Sequence, residues 1–143
     1  MSYRERAKQW YERALGEKDP FVMFLLYYVA LEVTVKLRDS SIRDLKQDVD
    51  LRKYVFSYVS MEQRTELLKA LETQPLINEN PSGDHRWDGK LDTSDDFAGI
   101  IEFIIRARNN LFHGDKGLNE ERDRQVIGWA NVFLRPIVER LIA

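Results

Sequence analysis

Apolar residues recur every three or four positions along most of this chain. Tyr3, Ala7, Trp10 and Ala14 keep that spacing and predict a first amphipathic helix ending near Gly16. Asp19 and Pro20 then form an N-cap followed by proline at the first helical position, predicting a second helix to about Arg38. Ile42, Leu45, Val49, Val55 and Val59 outline a third helical region, which "DVDL" at 48–51 is placed to interrupt. "SMEQ" at 60–63 has the form of a capping box, opening a helix that buries Leu67, Leu68 and Leu71.

From Pro75 to Asp92 the periodicity stops. The cluster Pro81, Ser82 and Gly83 marks this stretch as a long loop, and a loop of that length in a compact domain carries a function or moves. "TSDD" at 93–96 caps a helix predicted to reach His113, with acidic residues where the helix dipole favours them. A last helix covers roughly 119–142, with Val126, Ala130, Phe133, Ile137 and Leu141 facing inward and Pro136 expected to kink it. No stretch alternates as a strand does and no repeat is visible. The expectation is an all-α single domain over residues 1–143, a bundle of about five or six helices.

Composition narrows the classes. A chain of 143 residues with 43% hydrophobic content suits one compact domain. The formal charge of −2 gives no overall basic field, so any phosphate-binding surface must be a local patch. Without cysteine there are no disulfides, thiolate nucleophiles or cysteine-based zinc sites, which fits a reducing cytoplasm. The most apolar run, "FVMFLLYYVAL" at 21–31, is too short to span a bilayer and is followed at once by Glu32, so it reads as a core helix of a soluble protein. Trp10, Phe21, Phe24, Tyr27 and Tyr28 sit at helical spacing as core or dimer contacts.

The chemistry concentrates at the end of the fifth predicted helix, in "RARNNLFHGDKG" at 106–117. On a wheel of about 100° per residue, Phe97, Ile100, Ile101, Ile104, Ile105, Leu111 and Phe112 make one apolar face, with Arg108 near its middle. Arg106, Asn109, Asn110 and His113 fall on the opposite side. A guanidinium on an apolar face needs compensation. Three readings supply it: an ion pair, for which Glu32 in the second helix is the obvious partner, an early helix end that frees Arg108 to reach water, or a cleft that holds an anion. His113 before Gly114 also satisfies an ordinary helix stop.

"RNNLFHG", 108–114, resembles the Arg-x4–6-His signature of HEPN domains, in its Arg-Asn-x-x-x-His form. The short all-α frame and the apolar second helix agree with it, although the motif itself spans six residues. The resemblance implies a metal-independent endoribonuclease without cofactor, acting as a homodimer whose two motifs face one cleft. Many such domains are toxins or phage-defence components with an antitoxin protein as partner. Others are catalytically inactive and bind RNA, a nucleotide or a protein. By this resemblance Arg108 and His113 are catalytic and Asn109 supports them. Arg106 also meets the spacing and is kept as an auxiliary phosphate contact, with Asn110 and Lys116 beside it; on the ion-pair reading Glu32 is the candidate structural partner of Arg108. In HEPN toxins paired with nucleotidyltransferase antitoxins a modified tyrosine stands two places after the histidine; here that place is Asp115.

Elsewhere, His85 and the carboxylates of 83–96 lack zinc-ligand or calcium-loop spacing, so no metal is expected. Trp87 on the loop either stacks on a base or anchors the loop to the bundle. Lys116, Arg122 and Arg124 make a basic rim that Glu120, Glu121 and Asp123 dilute.

Overall fold

The computed structural model describes residues 1–38, 45–78, 86–111 and 121–143, with side chains for all but 36–38. Ile42, His85, the cluster Pro81 to Gly83, and 112–120 with His113 and Lys116 lie outside the described residues. The protein is all-α: α1 (Tyr3–Leu15), α2 (Pro20–Arg38), α3 (Val49–Tyr58), α4 (Met61–Thr73), α5 (Phe97–Leu111) and α6 (Glu121–Leu141), with a 3-10 turn at Leu45–Gln47. No helix among the described residues is long and apolar enough to cross a membrane.

The starts of α1 to α5 follow from their caps. The side chain of Ser2 accepts from the Glu5 amide, and Asp19 Oδ1 from the Phe21 amide at 2.9 Å. Ser60 and Gln63 close a complete capping box on α4. Asp48 explains the interruption expected at "DVDL": its side chain is buried and accepts from Leu51, which starts α3 afresh after the 3-10 turn. α5 begins at Phe97 because Asp96 takes the cap position, its Oδ1 accepting from Gly99 at 2.9 Å. The acidic residues thus precede its first turn.

α1 packs on α2, while α2, α3 and α5 all pack on α6. One apolar cluster joins them, with Phe24, Leu31, Phe103, Ile104, Phe133 and Ile137 fully buried. The five α6 positions expected to face inward are all buried. Two apolar residues on the helical spacing face outward. Trp10 is 38% exposed, because the stripe Ala7, Tyr11 and Ala14 faces α2 and leaves Trp10 at its edge. Val49 is 78% exposed, because the restart at Asp48 turns Leu51 and Val55 inward instead.

Two polar fastenings hold the non-helical chain. Arg64, buried on α4, donates to the carbonyls of Val59 (2.6 Å) and Ser94 (3.0 Å) and pairs with Asp95 at 3.1 Å. The ends of the 75–92 loop are clasped where the Leu76 amide donates to the Gly89 carbonyl at 3.0 Å. Gly89 has φ 83°, and a Cβ there would stand 2.7 Å from the Leu76 carbonyl oxygen. Gly89→Ala is therefore expected to destabilise the fold by about 2 kcal/mol, from strain plus a displaced clasp. A urea midpoint unchanged from wild type would show that the clasp contributes nothing.

Candidate active site

The last two turns of α5 carry four polar side chains, Arg106, Arg108, Asn109 and Asn110, which serve two different surroundings. Arg106 and Asn110 are buried. Arg106 Nη1 donates to the carbonyls of Leu76 (3.0 Å) and Trp87 (2.9 Å), and its guanidinium lies 4.8 Å from the Trp87 ring centroid. Asn110 Nδ2 donates to the Ile77 carbonyl at 2.9 Å, and Arg122, at the start of α6, donates to that of Gln74.

The wheel placed Arg106 and Asn110 on the open polar side of α5. The structure places the described parts of the loop over them, because a segment without its own ladder must find donors for its carbonyls. Both side chains are therefore loop anchors. Trp87 shares that role, its Nε1 donating to the Lys90 carbonyl at 3.0 Å.

Arg108 and Asn109 look toward α2. Arg108 is half-buried, its guanidinium 5.2 Å from the ring centroid of Tyr28 and its Nη1 donating to Asn109 Oδ1 at 3.0 Å. The apolar face that seemed hostile to a guanidinium thus offers it an aromatic surface, with Asn109 exposed beside it. Tyr28 senses both neighbouring charges. Burial first, and the Glu32 carboxylate second, push its phenol up to about 12, while Arg108 pulls the other way. Glu32, Tyr28, Arg108 and Asn109 therefore form one electrostatic neighbourhood where α2 meets the end of α5.

The sign of the Tyr28 effect is testable. Its folded pKa lies above the ordinary 10.0, so the unfolded chain loses this proton first. The contribution is intact below pH 10 and is lost as pH rises toward 12. Tyr28→Phe is expected to flatten the alkaline decline in melting temperature in that window. An unchanged decline would remove Tyr28 as its cause.

His113 follows Leu111 by two positions and lies outside the described residues, as does Lys116. Of the other predicted site residues, the structure brings Arg108, Asn109 and Glu32 into one neighbourhood and sends Arg106 and Asn110 to the loop. Tyr28 is the residue the sequence did not single out as functional: in an apolar run it reads as core, and only its contact with Arg108 gives it a second role. No group of three or more histidine and carboxylate side chains suited to a metal occurs among the described residues. No known family pattern, curated protein or solved structure matches the chain.

Proposed function

We propose that the chain is a metal-independent endoribonuclease of the HEPN type, working as a homodimer, with Arg108, Asn109 and His113 as its reacting set. The observation that carries this reading is the Arg108–Asn109 pair, held over Tyr28 with the guanidinium half-buried rather than sunk in the core. His113 accepts the 2′-OH proton, as a group titrating near neutrality can. The 2′ oxygen attacks phosphorus, the bond to the 5′ oxygen breaks, and that oxygen takes up a proton. Arg108 offers a planar, permanently charged fork to the phosphate oxygens, where negative charge accumulates. Asn109 orients the guanidinium. The products are a 2′,3′-cyclic phosphate and a 5′-hydroxyl. A role as a toxin or phage-defence component, with an antitoxin protein and a cytoplasmic location, belongs to this proposal.

A second reading, a catalytically silent module binding RNA, a nucleotide or a protein, is favoured by the net charge of −2. Incubating the purified chain with mixed single-stranded RNA in EDTA separates the two. The ribonuclease reading expects cleavage with cyclic phosphate ends, no cleavage of the matching DNA, and loss of activity in His113→Ala. Intact RNA with wild type, or equal cleavage by His113→Ala, overturns it in favour of the binding module.

A further inference from the structure

Leu51, Val55 and Val59 turn inward from α3 and are buried. At about 100° per residue, Lys53 and Ser57 then form its exposed crest, with Tyr54 and Tyr58 on one flank and Arg52 and Phe56 on the other. Each flank pairs a ring with a guanidinium. On the first, Tyr58 is 40% exposed, and Arg140 from the last turn of α6 sets its guanidinium 4.4 Å from the ring centroid. The Tyr54 ring lies 5.8 Å from that of Tyr58, tilted by 43°. On the second, the Arg52 guanidinium stands 5.6 Å from the Phe56 centroid and 5.7 Å from that of Phe97.

Charge on this surface runs one way. No carboxylate occurs between Leu51 and Met61. Arg52, Lys53 and Arg140 are exposed and make no ion pair among the described residues. Glu139, beside Arg140 in the chain, turns to α1 and accepts from Tyr11 at 3.1 Å. In a chain of net charge −2, these three cations are the kind of local patch that holding phosphate requires. A cation at the end of α6 also suits the helix dipole, but the dipole asks for no ring beneath it. A guanidinium resting on a ring keeps its outward N–H groups for an acceptor and its plane for stacking. An acidic peptide would answer the charges alone. A single-stranded nucleic acid answers both, with phosphates for the cations and bases for the rings and guanidinium planes.

We infer that the outer surface of α3, completed by Arg140 of α6, binds single-stranded RNA. It is distinct from the Arg108 neighbourhood: Phe97, beside Arg52, opens α5, and Arg108 lies about 16 Å further along that helix axis. The inference rests on the reading above for its ligand and asks nothing of its catalysis.

The test uses the full chain carrying His113→Ala, which on the reading above leaves RNA uncut. The probe is a fluorescein-labelled single-stranded RNA of about twelve nucleotides, followed by anisotropy. Tyr58→Ala is expected to weaken binding about fivefold, and Tyr58→Phe, which keeps the ring, less than about twofold. Arg52→Gln combined with Arg140→Gln should weaken it about tenfold and reduce the slope of log affinity against log salt by about 1.4. That double variant alters only exposed side chains, so it decides the matter should Tyr58→Ala fail to fold. Lys8→Gln, an exposed cation on α1, should change neither affinity nor slope. Unlabelled RNA should displace the label at a far lower concentration than polyglutamate of equal charge. Absence of RNA binding, or binding that the double variant leaves unchanged, overturns the inference. So does equal displacement by polyglutamate, which would assign the surface to an acidic protein. Cleavage by wild type in EDTA reports on the ribonuclease reading separately. Cleavage with binding unaltered in the variants overturns this inference alone, and α3-dependent binding without cleavage overturns that reading alone.

Discussion

Arg106→Met is expected to cost about 3 kcal/mol, the largest stability loss of any single substitution at the end of α5. Methionine keeps most of the length and fills the space, but it leaves the Leu76 and Trp87 carbonyls without their donor. Each lost bond is to a charged donor, of the kind worth roughly 1.5–3 kcal/mol, and the stacking on Trp87 goes as well. Relief from burying a charge returns part of this, which holds the net near the lower end of the sum. The melting temperature should fall by roughly 10 °C for a chain of this size. Amide exchange should accelerate at Leu76, whose N–H closes the clasp to Gly89. A loss below about 1 kcal/mol would mean that the loop is held by other means and that Arg106 is available for another role.

Arg108→Ala is expected to act in the opposite way, leaving the melting temperature nearly unchanged and lowering RNA cleavage at least about 100-fold. Its guanidinium is half-buried on the Tyr28 ring and bonded to the exposed Asn109, so removing it exposes aromatic surface at the edge of the bundle. Arg108→Lys should recover only a small part of the rate, since an ammonium cannot lie flat on the ring while presenting a fork to phosphate. Arg106→Met, assayed well below its melting temperature, should keep a rate within about threefold of wild type. Initial rates on end-labelled RNA for the three variants decide the assignment. If Arg106→Met loses as much activity as Arg108→Ala, the phosphate contact does not belong to Arg108 alone.

Most of the helical frame was legible in the sequence because it rests on local chemistry. Ser2, Asp19 and Ser60 cap α1, α2 and α4 through bonds that span two or three residues. The α6 stripe from Val126 to Leu141 is buried as its spacing requires. Where local signals competed, the pattern was less secure. Val49 kept the apolar spacing, but the buried cap at Asp48 reset the helix and turned Val49 outward. Arg64 gave no sign of its role, since in a charged helix it reads as a solvated position until the Val59 and Ser94 carbonyls are brought to it.

By itself the sequence determined that the protein is helical and where α1, α2 and α4 start, and it singled out residues 106–113 as the candidate chemistry. The tertiary structure alone decided how the polar residues there divide. A helical wheel treats everything beyond the helix as water or core, whereas α5 meets a loop on one side and an aromatic ring on the other. The loop has carbonyls to satisfy and takes Arg106 and Asn110; the Tyr28 ring offers a π face and takes Arg108. Both choices follow from what the packing of distant segments leaves unpaired, and no spacing along one helix records that.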